Sequence, residues 1–190
     1  MSMGKSPHDM VVIPLQVRIV DKEGMDVPVG DIGEITVRSE SMIMGYGNLP
    51  EETVKTIRGG WLHTGGFGKF DDDGYVYIMD RKNDLVISGG KNIYPREVEE
   101  LLYQHDAILE YTVIGAPDDY WGESAKALVV LKEGMQANEE EIISFCKDHL
   151  ASYKKPRTVE FKKELLESPT GKILKRVIRE DYWKGRDRRI

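Results

Sequence analysis

Hydrophobic and polar residues alternate along several short stretches near the start of the chain, with the period of half-buried β-strands. Leu15, Val17 and Ile19, for example, alternate with polar residues. This pattern predicts strands over residues 11–20, 33–38, 61–70 and 75–79, and one short helix over 51–57. Because turn-forming residues separate these stretches, we expect a small antiparallel sheet or barrel.

Beyond residue 95, apolar residues also recur with the spacing of α-helices. Pro95 opens a predicted helix that turns Val98, Leu101 and Leu102 inward, and Asn138 is predicted to cap a second helix. Further strands are predicted over residues 85–87, 92–94, 110–114, 125–131 and 157–161. These elements predict a small mixed sheet flanked by helices, so the fold class is α+β.

A run of five polar residues, 80–84, lies between two strand-like stretches. Few apolar side chains are available there to hold the flanking segments together, so we place a domain boundary in this run. The predicted organisation is a β unit over residues 1–79, a connecting segment over 80–84 and an α+β domain over 85–190.

Composition and charge exclude several classes of function. The chain has 33 acidic and 27 basic residues and a net charge of -6, so no nucleic-acid partner is expected. Its apolar runs are too short to span a bilayer and its first residues contain no signal core, which makes a cytoplasmic location the default expectation.

Metal and thiol chemistry are not expected either. The four histidines are scattered without metal-ligand spacing, and the acidic run Asp71–Gly74 lacks the alternating ligands of an EF-hand. We therefore predict no metal site and a solvated hairpin turn at 71–74. The single cysteine, Cys146, lies in an apolar helical pattern and is expected to be a buried thiol.

The segment Ser168–Lys172 is a candidate for chemistry. Pro169 and Gly171 predict a turn, and Thr170 could cap the final helix, which places Lys172 where loop becomes helix. An ammonium beside free helix N–H groups attracts phosphate or developing carboxyl charge. Taken alone, the segment favours a solvated lysine in a surface turn, since it lacks the longer glycine spacing of a Walker loop.

Six motifs resemble the AMP-forming acyl-CoA synthetase family, which belongs to the superfamily of adenylate-forming enzymes. They are residues 60–65 (GWLHTG), 74–75 (GY), 80–82 (DRK), 87–95 (ISGGKNIYP), 97–99 (EVE) and 169–172 (PTGK). The resemblance runs from about Pro14 to Trp183, with the motifs in the family's order and spacing. It implies the carboxy-terminal lid domain of these enzymes, preceded by the last β subdomain of their large amino-terminal domain.

The resemblance implies a ligase that uses ATP, magnesium and CoA. A carboxylic acid would attack the α-phosphate of ATP to give acyl-AMP and pyrophosphate, and CoA would then displace AMP. The 87–95 stretch is similar to medium- and long-chain fatty acid members, while aryl and carnitine-like acids remain open. ATP and magnesium are expected to bind mostly to the amino-terminal domain.

The resemblance also implies roles for individual residues in the first step. Lys172 matches the lysine that bridges carboxylate and phosphate, where a cation offsets the repulsion between two anions. Arg81 matches the arginine near the ribose and phosphate of the adenylate. Asn83 falls at the hinge about which the lid domain rotates between the two steps.

For the second step, the turn formed by Ser88, Gly89 and Gly90 resembles the wall of the pantetheine tunnel. The glycines could serve that passage or simply permit the turn. Lys91 would then meet CoA phosphates. Lys147 would do the same or would be a solvated residue of a helix face.

Two positions depart from the family pattern. Gly66 stands where the family has an aspartate that binds both ribose hydroxyls, and Asn83 replaces a charged hinge residue. Loss of charge-assisted hydrogen bonds of this kind costs about 1.5–3 kcal/mol each, so weakened nucleotide binding is expected.

The family's phosphate loop and its Tyr-Gly-x-Thr-Glu segment do not occur before Trp61. We therefore expect a carboxy-terminal portion that needs its own amino-terminal domain and cannot adenylate an acid alone. An alternative, motivated by Gly66, is a stand-alone module that binds CoA or a partner protein without catalysis. A third reading, adenylation for a carrier protein, is weakened because no carrier domain follows Trp183.

Overall fold

The computed structural model describes residues 15–186, which divide into two compact units between Ile78 and Met79. The predicted strand over residues 11–20 is present as Gln16–Val20, and residues 11–14 lie outside the described part. None of the helices in residues 15–186 combines the length and apolar character needed to cross a bilayer.

The first unit is built on a five-stranded sheet in the order β1-β2-β4-β3, with β5 also paired to β4. Its elements are β1 (Gln16–Val20), β2 (Gly33–Arg38), α1 (Pro50–Thr56), β3 (Ile57–Arg58), β4 (Trp61–Phe70) and the start of β5 (Val76–Arg81), whose residues from Met79 onward belong to the second unit. The pairs β1-β2, β2-β4 and β3-β4 are antiparallel, as the alternating pattern predicts. Ile19 and Ile35 are opposite each other on β1 and β2 and are both buried, which marks the packed face.

The acidic run at the end of β4 forms a hairpin turn, as predicted. One carboxylate oxygen of Asp71 accepts hydrogen bonds from the backbone N–H groups of Asp73 and Tyr75, at 3.1 and 2.8 Å. Gly74 adopts a φ of 83°, which favours glycine. The acidic side chain therefore caps its own turn.

The second unit contains a hairpin, a three-stranded sheet and three helices. After a 3-10 turn (Lys82–Asp84), the elements are β6 (Val86–Ser88), β7 (Lys91–Ile93), α2 (Pro95–Leu102), β8 (Ile108–Asp118), β9 (Gly122–Leu131), α3 (Glu139–His149), β10 (Thr158–Phe161) and α4 (Lys175–Tyr182). The sheet order is β10-β9-β8, with β9 antiparallel to β8 and parallel to β10. The predicted α+β class and the mixed sheet flanked by helices are confirmed.

Both faces of this sheet are covered. On one face, Val98 and Leu102 of α2 and Ile142 of α3 pack with Val113 and Ala127 of the sheet, and all five are fully buried. On the other face, a second cluster surrounds α4, made of Ile114, Leu128, Val130, Leu165 and Ile178. The alternation of side chains along β8 and β9 thus supplies two cores.

The single cysteine is a buried thiol, as predicted. Cys146 lies on the inner face of α3 with no exposed surface. Burial raises the pKa of its thiol to about 11, since the thiolate would lose its hydration. The thiol is therefore protonated at neutral pH and packs as a small apolar group.

The second unit should lose stability in acid through Glu160. Hydrogen bonds from Lys162, Tyr182 and Lys126 lower the pKa of this β10 carboxylate to about 2. A carboxylate with a lowered pKa stabilises the fold above its unfolded pKa, and this stabilisation is lost as the pH falls through the folded value. Between about pH 5 and pH 2, we therefore expect a shallower decline in the free energy of unfolding for Glu160→Gln than for the parent chain.

Urea unfolding at a series of pH values would measure this difference. Glu164→Gln is the control, because Glu164 is exposed and has no hydrogen bond or ion pair within residues 15–186. Equal pH slopes in the two variants would contradict the role of Glu160.

Candidate active site

The loop that carries Lys172 is a turn closed by its own hydrogen bonds. The N–H of Ser168 donates to the carbonyl of Lys172 at 2.8 Å, and the N–H of Lys172 donates to Ser168 Oγ at 3.1 Å. Gly171 adopts a φ of 74°, and a bridge between Glu167 and Ile173 closes the base of the turn. The loop therefore holds its backbone in place without help from a ligand.

The prediction that Thr170 caps the final helix is wrong. Helix α4 begins at Lys175 with Leu174 as its N-cap, because the Leu174 N–H donates to the carbonyl of Leu166 and keeps the preceding backbone extended. Thr170 forms a hydrogen bond with Ser168 Oγ instead, at 2.9 Å. Lys172 is therefore not beside the free N–H groups of a helix start. The positive charge at this position comes from the Lys172 ammonium, without a contribution from the helix.

Two lysines near this turn have different surroundings. Lys175 forms an ion pair with Glu99 at 2.8 Å, and Glu99 also accepts hydrogen bonds from the N–H of Val113 and the hydroxyl of Thr112. Lys172 is exposed, and among the described residues its ammonium has no hydrogen bond or ion pair. The charge of Lys175 is therefore neutralised within the fold, whereas that of Lys172 is available to an anion.

The turn between β6 and β7 depends on glycine because a tryptophan packs against it. Gly89 adopts a φ of 56°, and its N–H donates to the carbonyl of Trp121 at 3.1 Å. A Cβ atom at Gly89 would lie 2.3 Å from Cε3 of the Trp121 ring, which is far inside contact distance. Gly90 has a φ of 78° but no atom within 4 Å of such a Cβ. The requirement for glycine at position 89 therefore comes from the chain's own Trp121.

A cleft of about 210 Å³ opens beside this turn. It is lined by Ser88, Gly89, Lys91, Trp121, Ser152, Tyr153, Lys155 and Arg157. The ammonium of Lys91 lies 4.6 Å from the centre of the Tyr153 ring, and the guanidinium of Arg157 lies 4.9 Å from that of Trp121. The described lining has three cations and no carboxylate, so this cationic cleft suits a phosphate-bearing ligand.

The sequence analysis missed two of these three cations. Lys155 and Arg157 follow α3 in a loop without periodicity, and the basic run at 154–157 was the available signal. Lys147, which was expected either to meet CoA phosphates or to be a solvated residue of a helix face, is exposed on α3 and does not line the cationic cleft. Lys154 belongs to the same run but is held by an ion pair with Glu97 at 2.7 Å.

The polar segment 80–84 is anchored within the second unit. Asp80, at the end of β5, accepts a hydrogen bond from the N–H of Arg96 at 2.9 Å, in the first turn of α2. Burial raises the pKa of Asp80 above its ordinary value, against the opposing effects of this hydrogen bond and of the charge on Lys175. Arg81 follows with an exposed side chain, and Asn83 lies in the 3-10 turn.

Gly66 lies in β4 of the first unit and offers only backbone groups. Its N–H donates to Thr64 Oγ1 at 3.1 Å, and the same hydroxyl donates to the carbonyl of Ile35 at 2.7 Å. The position therefore lacks the acidic side chain that the resemblance associates with ribose binding. Within residues 15–186, no group of three or more His, Cys, Asp or Glu side chains is arranged to hold a metal ion.

Comparison with known proteins agrees with the sequence motifs. The family model of the AMP-binding enzyme C-terminal domain matches residues 97–172. The chain is 52% identical over 149 residues to a long-chain-fatty-acid–CoA ligase of Bacillus subtilis (strain 168), covering 78% of this chain and 27% of that protein. It is 45% identical over 161 residues to a 2-succinylbenzoate–CoA ligase of Bacillus cereus (strain Q1), covering 85% of this chain and 33% of that protein.

A solved structure shares the fold. The crystal structure of ATP-bound MatB from Rhodopseudomonas palustris matches with a TM-score of 0.83 and 37% identity, covering 88% of this chain and 34% of that one. The chain thus spans about a third or less of the length of these relatives. With the domain match, the sequence identity and the shared fold, the chain belongs to the adenylate-forming superfamily of AMP-binding enzymes, whose C-terminal domain it carries.

Proposed function

We propose that the chain supplies the carboxy-terminal part of an AMP-forming acid–CoA ligase. The observation that carries this proposal is the cationic cleft beside the Gly89 turn, because it offers cations and aromatic rings to a nucleotide with phosphates. Two of the relatives above are acid–CoA ligases by name, which supports the same assignment. In this proposal residues 1–79 are the last β subdomain of the large domain, 80–84 the hinge, and 85–190 the lid.

In the first step, a carboxylate oxygen bonds to the α-phosphorus of ATP while the bond from that phosphorus to the bridging oxygen breaks and pyrophosphate leaves. Both reactants are anions, so a cation between them offsets their repulsion and the charge of the transition state. Lys172 suits this role because its ammonium is exposed and its loop is rigid. Arg81 would lie near the ribose and phosphate of the adenylate, and Asn83 would act as hinge.

In the second step, the sulfur of CoA bonds to the acyl carbon, the bond to the AMP oxygen breaks, and the thiol proton is released. The turn of Ser88, Gly89 and Gly90 would flank the pantetheine chain. Lys91 would meet CoA phosphates with Lys155 and Arg157, which line the same cationic cleft. Among the described residues no group of three or more His, Cys, Asp or Glu side chains could hold magnesium, so we expect that ion to bind mostly to the amino-terminal domain.

We also propose that the acid is a medium- or long-chain fatty acid, following the 52% identical relative that is named for such acids. A 2-succinylbenzoate–CoA ligase at 45% identity keeps aryl acids as the competing class. The chain alone would form no acyl-AMP, since its sequence before Trp61 contains neither the phosphate loop nor the Tyr-Gly-x-Thr-Glu segment of the family, and Gly66 would further weaken ribose binding. The same glycine favours a second candidate, a non-catalytic module that binds CoA or a partner protein.

Calorimetry with CoA tests the proposed function on the chain itself. We expect CoA to bind in the millimolar range or tighter, and pantetheine, which has no nucleotide, to bind more weakly. Replacing Arg157 by glutamine should weaken CoA binding about tenfold, because a charge-assisted contact to phosphate is lost.

Lys147→Gln is the matched control, since it removes a cation of the same unit that lies outside the cationic cleft. Absence of CoA binding at millimolar ligand would overturn the assignment of the cleft. An equal loss in the Lys147 and Arg157 variants would mean that only the net charge of the surface attracts CoA.

A further inference from the structure

A buried arginine joins helix α4 to the 3-10 turn of the hinge segment. Arg179 is 9% exposed, and one terminal nitrogen of its guanidinium donates to both the carbonyl of Asn83, at 2.8 Å, and a carboxylate oxygen of Asp84, at 3.0 Å. The Asp84 side chain is itself only 20% exposed. Charge-assisted hydrogen bonds that are shielded from water in this way are stronger than ion pairs on the surface.

The same helix is continuous with the Lys172 loop. Only Ile173 and Leu174 separate Lys172 from α4, and the Leu174 N–H is bonded to the carbonyl of Leu166 at the other side of the loop. Arg179 lies four residues after Lys175, so the two are neighbours on one helix face. Lys175 anchors the start of that face to Glu99, and Arg179 anchors its middle to the hinge segment.

We propose that Arg179 is a positioning residue that makes the Asn83–Asp84 peptide, α4 and the Lys172 loop one rigid body. This inference rests on the proposed function, in which Asn83 is the hinge and Lys172 acts on the adenylate. Because Arg179 holds the carbonyl of Asn83, the peptide between Asn83 and Asp84 belongs to that body. The rotation that carries Lys172 then takes place on the amino-terminal side of this carbonyl.

Amide hydrogen exchange on the 190-residue chain tests the coupling without any catalysis. The Leu85 N–H reports on the 3-10 turn, since it donates to the carbonyls of Arg81 and Lys82, and the Leu174 N–H reports on the Lys172 loop. We expect Arg179→Gln to speed exchange at both amides about tenfold, while core amides of β9 keep their rates.

Asp84→Asn removes the negative charge that Arg179 contacts, and should accelerate the same two amides. The double variant should then be no faster than Arg179→Gln alone, because Arg179→Gln already breaks the contact that Asp84→Asn weakens. Arg176→Gln is the control on the same helix, since Arg176 forms only an exposed pair with Glu180 among the described residues. It should leave both amides unchanged.

Faster exchange at Leu85 with no change at Leu174 would overturn the coupling. Uniform acceleration of core amides would also overturn it, because Arg179 would then serve only the stability of the whole unit. Neither result depends on CoA or ATP, so failure of this inference is distinguishable from failure of the proposed function, which calorimetry reports.

Discussion

Replacing Lys172 by alanine should lower the rate of acyl-AMP formation about 100- to 1000-fold, the usual effect of removing one group that stabilises a developing charge. The enzyme for this experiment joins the chain to the amino-terminal part of a CoA ligase relative. Acid-dependent release of pyrophosphate measures the first step. Thioester formation from supplied acyl-AMP measures the second step, which we expect to change far less.

The reason for this difference is the environment of Lys172. Its ammonium is unpaired within the described residues, and its loop is closed by bonds that do not involve the side chain. Alanine should therefore remove charge without disturbing the fold. Lys163→Ala is the control, because Lys163 is another exposed lysine of the second unit. Equal losses in both half-reactions would refute the assigned role.

Replacing Gly89 by alanine should lower the free energy of unfolding of the chain by about 2–5 kcal/mol. Of this, about 1–2 kcal/mol comes from a side chain in the left-handed region, and about 1–3 kcal/mol from the collision with the Trp121 ring. Urea unfolding measures the sum. CoA binding should also weaken, because Trp121 carries Arg157 on its face in the cationic cleft.

Gly90→Ala separates the two contributions. Gly90 has the same kind of backbone conformation, with a φ of 78°, but nothing within 4 Å of an added Cβ. The free energy of unfolding of Gly90→Ala should therefore fall by only about 1–2 kcal/mol, the cost of the backbone strain. If the two alanine variants were equally unstable, the contact between Gly89 and Trp121 would have no energetic role.

Most elements of the fold were predictable because their signals are local. Pro95 at the first position of α2 and Asn138 as the N-cap of α3 act through neighbouring residues, and both predictions are confirmed. The strands β8 and β9 are longer than predicted, because Gly115 and Ala116 continue the pairing without an apolar pattern. The start of α4 was not predicted, because it depends on a hydrogen bond from the Leu174 N–H to the carbonyl of Leu166. The helical pattern of apolar residues gives no sign of that contact.

The candidate site shows the same limit. A motif located Lys172 and the Gly89 turn, but the surroundings of each depend on residues far away in the chain. The family resemblance suggested Lys147 as a CoA contact, whereas Lys155 and Arg157 reach the cationic cleft from an irregular loop that it did not indicate. The roles of Lys172, Arg81, Asn83, Gly66 and residues 88–91 all stay predictions.

The hydrogen bond from Arg96 to Asp80 has a practical consequence for protein engineering. Tyr94, the N-cap residue of α2, gives no side-chain cap, so the carboxylate of Asp80 is the acceptor at this helix start. A recombinant fragment that began at Leu85, after the polar segment, would lose about 0.5–2 kcal/mol with that acceptor. It would also lose the Asn83 and Asp84 partners of the buried Arg179, which adds to this loss. The sequence alone suggests that the polar segment could be removed. A stable recombinant fragment of the lid should nevertheless begin upstream of Asp80.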